Sequence, residues 1–204
     1  MIKIKWLGHS CYKIYFDDIQ CVIDPFEDGY VPGYRNINTS ADIVLASHGH
    51  RDHDSKYTVR QLLRLVHGVE VKKVSTYHDE KFGALRGENT VHVIEYDGVK
   101  ISHFGDIGHI LTDSQLAEIG DVDVALIPVG GTYTVDADGA KAICSQVNAK
   151  VIIPMHYRTG GLGFAELDTV ENFEKLFDNV VHYDSDEFTI LKDITPHVAV
   201  LQYK

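Results

Sequence analysis

Four apolar runs of this 204-residue chain stop at a histidine or an aspartate. Residues 42–46 run into His48, 71–77 into His78, 99–104 into Asp106, and 151–154 into His156. Each run is short and rich in β-branched residues, as strands are. Polar side chains repeated at strand ends gather along one edge of a sheet. The pattern therefore constrains the chain to a rigid β scaffold whose rim carries chemistry.

The remaining pattern agrees with a β-rich chain. Residues 2–7 alternate with period two. Residues 12–16 and 21–23 flank Asp17-Asp18, and residues 91–96 and 99–103 flank Asp97-Gly98, a hairpin signal. Residues 122–129 form an apolar strand ending at Gly130-Gly131, and 188–191 and 198–201 close the chain as strands. Helices are predicted over 58–66, from Val59, Leu62, Leu63 and Val66, and over 112–119, with Thr112 or Asp113 as N-cap. Two more are predicted over 138–147, opened by Asp136 or Asp138, and over 170–177. Many strands and few helices suit two sheets packed face to face with helices outside, in one domain spanning 1–204.

Composition narrows the function classes. Asp and Glu total 30 against 19 Lys and Arg, a formal net charge of -11. That balance disfavours nucleic acid as a partner and is partly offset by bound metal cations. Cys11, Cys21 and Cys144 are odd in number and form no CxxC, so free thiols in a reducing cytoplasm are expected. Residues 1–6 alternate apolar and charged side chains, and no continuous apolar stretch reads as a signal peptide or membrane span. Nothing in the sequence indicates an oligomeric state.

Twelve histidines matter through their positions. His48, His50, Asp52 and His53 fall within six residues after a strand. In a strand-to-helix turn, His48 and His50 point the same way toward one metal, while Asp52 and His53 face the next position. Imidazole and carboxylate ligands suit Zn, Mn, Fe or Ni, whereas Mg or Ca sites are richer in oxygen. His78 completes a three-histidine set with His48 and His50. Asp106 bridges two ions, and His156 joins Asp52 and His53 on the second. Taken singly, each residue reads equally as a loop histidine, a capping aspartate or a half-buried side chain.

That order resembles the metallo-β-lactamase superfamily: an HxHxDH run, a lone histidine, a bridging aspartate and a final histidine. Trp6-Leu7-Gly8-His9-Ser10, Ile23-Asp24-Pro25-Phe26 and Gly105-Asp106-Ile107-Gly108-His109 resemble a compact branch of zinc-dependent hydrolases. That branch is similar to ascorbate-6-phosphate lactonases and N-acylphosphatidylethanolamine phospholipases. The resemblance implies an α/β fold, a four-layer αββα sandwich of two packed mixed sheets with outer helices. It also implies two divalent metal ions, zinc foremost, with Mn, Fe or Ni as alternatives. The implied reaction is cleavage of a small-molecule ester, lactone or phosphodiester by water held between the metals. In diiron redox relatives the second histidine of the run is usually glutamate, so His50 favours hydrolysis over redox or gas-sensing chemistry. The chain lacks room for the inserted domain of nuclease relatives, which disfavours nuclease-type phosphodiesterase activity.

Other residues are assigned around this centre. Asp52 binds metal and positions the nucleophile, and His109, three residues after Asp106, is the candidate proton donor to the leaving group. Asp24 supports the histidine loop, and His9 lines the site mouth; a turn aspartate and a core histidine are the alternatives. Gly131, Tyr133, Tyr157 and Arg158 are candidate substrate contacts, Gly131 through backbone N–H groups near it, and Arg86 and Asn89 are further ones. His103 falls inside a strand. His67, His92, His182 and His197 fit no pattern and read as structural or exposed.

Overall fold

A computed structural model describes residues 1–191, 193 and 195–204. The first strands are β1 (Ile2–Gly8), β2 (Cys11–Phe16), β3 (Ile19–Ile23), β4 (Thr39–Ala41) and β5 (Ile43–Leu45). β6 (Val59–Gln61), β7 (Glu70–Tyr77), β8 (Glu88–Tyr96) and β9 (Val99–His103) follow, then α1 (Asp113–Ile119), β10 (Val124–Pro128), α2 (Ala137–Gln146) and β11 (Val151–Met155). The chain ends with α3 (Glu171–Glu174), β12 (Val180–Tyr183), β13 (Glu187–Ile190) and β14 (His197–Leu201).

Alternation and turn chemistry explain the local structure. In β1, Ile2, Ile4 and Trp6 are buried, while Lys3 and Lys5 face outward. β8 and β9 meet at Asp97-Gly98, both at positive φ, as the tightest hairpin turn requires. β10 and β11 pair in parallel and are buried throughout, the signature of central strands covered on both faces. α1 opens with a reciprocal capping box between Thr112 and Gln115, and Asp136 caps α2 through Gly139 N–H.

Two sheets result. One has the order β13-β1-β2-β3-β5, and the other β12-β14-β11-β10-β9-β8-β7. A single apolar cluster lies between and around them, with Trp6, Tyr12, Phe16, Phe26, Phe104 and Phe173 almost wholly enclosed. This is the expected α/β sandwich of two mixed sheets. α1 packs on β7, α2 on β10, and α3 on α2. Among the described residues no helix is long and apolar enough to cross a membrane.

One predicted helix is replaced by extended chain. Residues 58–66 contain only a short 3-10 turn, Lys56–Thr58, followed by β6, which pairs in parallel with β4. Leu62 N–H donates to Ala41 O, and the Arg64 guanidinium binds both carboxylate oxygens of Asp42 at 2.6 Å. These tertiary bonds outweigh the helical spacing of the leucines and valines. The predicted helix over 170–177 shortens to α3, and β4, β6 and β12 were not anticipated.

Candidate metal centre

Six strands of the two sheets end at one edge. β1 delivers His9, β3 Asp24, β5 the loop of His48 to His53, β7 His78, β9 Asp106 and β11 His156. His9, Asp24 and His156 hold φ of 51°, 51° and 52°, a left-handed conformation that bends each chain sharply as it leaves its strand. Three side chains at one edge thus adopt a backbone that non-glycine residues avoid, a concentration typical of functional sites.

Asp106 Oδ2 lies among four imidazoles. It is 3.1 Å from His156 Nε2, 3.2 Å from His53 Nε2, 3.2 Å from His78 Nε2 and 4.0 Å from His48 Nε2. On one side His48, His50 and His78 bring ligand atoms within 4.8 Å of one another; on the other, His9, Asp52, His53 and His156 do the same. Asp106 therefore stands between two candidate ligand sets.

A buried network turns these rings toward the centre. Asp24 is fully enclosed; its carboxylate accepts from Ser47 N–H at 2.7 Å, Ser47 Oγ at 2.6 Å and His53 Nδ1 at 2.8 Å. Because Ser47 Oγ donates to Asp24, it accepts from His48 Nδ1 at 2.9 Å. Both rings are thereby held with the proton on Nδ1 and the Nε2 lone pair facing inward. Asn89, also buried, accepts from Asp106 N–H and donates to Phe104 O and Thr76 Oγ1, which aims Asp106. Gly105 makes this possible: a Cβ there would lie 2.3 Å from Asn89 Oδ1 and 2.5 Å from Ser47 Cβ.

The electrostatics suit cation ligands. Burial, reinforced by His53, pushes His48 down to about 3; burial, reinforced by His156, pushes His9 down to about 4. Burial opposes ionisation of Asp106 and Asp52, but neighbouring imidazoles hold both carboxyls well below the usual range. The same carboxylates raise His53 well above its ordinary value against the effect of burial. Ionised carboxylates and neutral imidazoles are the forms that bind metal, so a cation at His53 would take the place of the proton that its carboxylates favour there. The Nε2 atoms of His9, His48, His53 and His156 and Oδ1 of Asp106 are buried without hydrogen-bond partners. Such groups each cost about 1–3 kcal/mol unless something satisfies them. The residues fit two divalent cations, with His48, His50 and His78 in one set and Asp52, His53 and His156 in the other.

A cleft of about 520 Å³ opens onto this edge, lined by His50, Asp52, His78 and Asp106 and walled by Tyr30, Arg86, Tyr133 and Phe164. A neighbouring lobe of about 470 Å³ shares His78, Arg86 and Tyr133 and includes Gly131 and His109. Tyr133 lines the cleft. Arg51 is there too, held by Glu27 through both carboxylate oxygens. Tyr30 and Phe164 carry no motif and escaped the sequence reading.

Several expected roles are not supported. His109 accepts from Tyr77 N–H through Nε2 and donates to Ile110 O through Nδ1, leaving no free ring nitrogen for a leaving group. Tyr157 is buried against Trp6, because it follows His156 and points the opposite way. Arg158 donates to Leu167 O and lies outside both lobes. Gly131 lines the second lobe beside Thr132, and its carbonyl takes the Tyr133 and Thr134 N–H groups, which leaves the Gly131 and Thr132 N–H groups as the turn's candidate donors. Asn89 supports Asp106 rather than substrate. His103 and His92 bond Ser10 O and Ala46 O, as structural histidines do.

A sandwich of two mixed sheets with a histidine-and-carboxylate edge defines the class of metallo-β-lactamase fold proteins. The profile of the beta-lactamase superfamily domain matches residues 3–156, and the chain belongs to that superfamily. A solved structure from Thermotoga maritima, named as a Zn-dependent hydrolase of the metallo-beta-lactamase superfamily, is 37% identical with a TM-score of 0.81, covering 98% of each chain. A UPF0173 metal-dependent hydrolase of Methanoregula boonei is 30% identical over 190 residues, 78% of this chain and 83% of that protein. Another, from Thermoplasma volcanium, is 28% identical over 189 residues, 78% and 84% of the two chains. This chain is thus a metal-dependent hydrolase of the superfamily.

Proposed function

We propose that the chain is a dinuclear hydrolase of a small-molecule ester, lactone or phosphodiester, with zinc as the foremost metal and the cytoplasm as its compartment. The observation that carries this reading is Asp106 Oδ2 within 3.1–3.2 Å of three imidazoles drawn from both ligand sets. Two divalent cations, when bound, supply an acidified water and an electrophile for the substrate's oxygen. His48, His50 and His78 would hold one cation and Asp52, His53 and His156 the other, and Asp106 would serve both. Asp52 also forms part of the cleft wall, where its carboxylate can orient the nucleophile. The aromatic walls of Tyr30, Tyr133 and Phe164 exclude water and grip an organic group, and Arg86 meets a polar or anionic one. Two adjoining lobes of about 520 and 470 Å³ suit a small molecule, and the net charge of -11 disfavours nucleic acid.

The test is metal analysis of the purified protein together with a panel of lactones, carboxylic esters and phosphodiesters. The expected result is two equivalents of metal and hydrolysis that chelators abolish and zinc restores. One equivalent at saturation, or full hydrolysis after complete metal removal, would overturn the reading.

A further inference from the structure

His9 is fully buried, yet neither ring nitrogen has a hydrogen-bond partner. Its backbone is also strained, at φ 51°, in the left-handed region that residues other than glycine avoid. The surroundings enforce both features. Trp6 Nε1 donates to the His9 carbonyl at 2.9 Å, and Gly8 lies so close to Tyr34 that a Cβ there would stand 2.5 Å from the ring. The imidazole lies against His156, with centroids 4.2 Å apart and rings tilted by 43°, and is backed edge-on by Phe164 at 5.5 Å. A strained turn that delivers an unpartnered imidazole into a buried site needs a ligand to account for it.

The position of the ring identifies that ligand. A His9 nitrogen lies within 4.8 Å of the ligand atoms of Asp52, His53 and His156. His9 Nε2 is 3.4 Å from Asp52 Oδ2, and His53 Nε2 is 3.5 Å from the same oxygen. The His9 contact is not a hydrogen bond. Two atoms each about 2.1 Å from one ion, at right to tetrahedral angles, stand roughly 3.0–3.4 Å apart. The separation is therefore that of two ligands of one cation. Resting on the two-cation reading above, we propose that His9 is a further protein ligand of the second cation, beside Asp52, His53 and His156.

The two cation sites are then unlike. The first, with His48, His50 and His78, borders the cleft through the exposed His50 and keeps room for a substrate oxygen. The second has three buried imidazoles and Asp52, with Asp106 reaching in from the centre, and meets the cleft through Asp52. With four protein ligands besides Asp106 it would be the tighter site, while the more open first site would receive the substrate oxygen.

The experiment compares wild type with His9→Gly and His9→Asn, residues that tolerate a left-handed backbone. The proteins are loaded with Co²⁺ or Zn²⁺ and titrated with a competing chelator. Folding is monitored by circular dichroism, and Co²⁺ coordination by visible absorption. Wild type is expected to release its two equivalents in separate steps. Both variants are expected to hold the second-site equivalent roughly 100-fold or more weakly, beyond the 10–100-fold typical of outer-shell changes, with the other equivalent unchanged. Added imidazole should restore affinity and the wild-type Co²⁺ spectrum in His9→Gly, since it fills the emptied position; a merely supporting role predicts no such rescue. Variants that retain both equivalents and the wild-type spectrum would overturn the assignment, as would the absence of imidazole rescue. A wild type that binds one equivalent overturns the two-cation reading itself, a different result from a two-metal protein indifferent to His9.

Discussion

The loop from Ser47 to Ser55 and the segment over 62–69 invert what their compositions suggest. The first is dense in histidine and aspartate, yet His53, Ser47 and Ser55 are buried. The second carries four leucines or valines in its first five residues, yet Leu63 is 100% and Leu65 83% exposed. The difference lies in available partners. Asp24, Ser47 and the ligand rings satisfy one another in a closed network, and Glu27 N–H and Ser55 N–H tie the loop to the segment carrying Pro25. The leucines find no unfilled apolar surface, and an ion pair, Arg64 with Asp42, fixes their segment. Order in this molecule follows specific partners more closely than hydrophobicity.

The strongest break of the first region is removal of its central ligand. Asp106→Asn or His48→Ala is expected to abolish tight binding of at least one metal equivalent and to reduce hydrolysis by several orders of magnitude. Metal content after dialysis and initial rates against whichever panel compound the wild type cleaves measure both. Wild-type metal content in either variant would remove these residues from the centre.

A subtler change reaches the same loop from behind. Asp24→Asn keeps the shape but removes the charge that holds the His53 and Ser47 protons. Metal affinity should fall about 10–100-fold, the usual effect of losing an orienting partner. A chelator titration with unchanged affinity would reduce Asp24 to a turn residue.

These residues show what was legible in advance. The seven metal-binding candidates could be read because the side chains suited to metal stand at strand ends, in an order that leaves few alternatives. Strand edges and hairpins followed from alternation and from Asp97-Gly98. Side-chain direction was not legible. Tyr157 and Arg158 adjoin His156 in sequence, but at φ 52° His156 turns into the site and its neighbours turn away. His109 lies close to Asp106, but the backbone groups of Tyr77 and Ile110 engage both its nitrogens. β4, β6 and β12 show no clear alternation, being short strands at the margins of the structure. His9 reads in sequence as lining the site mouth or as a core histidine; it is fully buried, and nothing in sequence reveals that its nitrogens lack partners.

The second region is broken by charge rather than by loss of apolar surface. The Arg64 hydrogen bonds hold the Asp42 carboxyl below its ordinary 3.8, against the effect of burial. Asp42 also accepts from Gln20 N–H, and its side chain is 1% exposed while that of Arg64 is 45% exposed. Arg64→Ala leaves this carboxylate enclosed without its cation, and destabilisation of about 1–3 kcal/mol is expected in urea unfolding at pH 7. The sign follows from the depressed folded value. The pair's contribution is present above pH 3.8 and is lost as pH falls through the lower, folded value, so wild type and variant should converge in acid. A difference that persists there would place the effect in packing of the arginine stem.

Leu63→Ser gives the smallest expected effect and decides between the two readings of its segment. In an amphipathic helix over 58–66, Leu63 would lie on the apolar face with Val59, Leu62 and Val66. Replacing a buried leucine by a small residue costs about 2–5 kcal/mol. In the extended segment Leu63 has no apolar surface to lose, so the change should stay within about 0.5 kcal/mol, and Leu65→Ser should behave alike. The double variant adds leverage, because independent exposed sites sum to little while two core sites sum to an unfolded protein. Urea midpoints of the three variants measured beside Arg64→Ala test the ordering directly. If the arginine outweighs both leucines, this apolar stretch is held by its one ion pair, as the histidine loop is held by its aspartate. If the leucines outweigh the arginine, the segment folds as its periodicity suggests, and the parallel between the two regions fails.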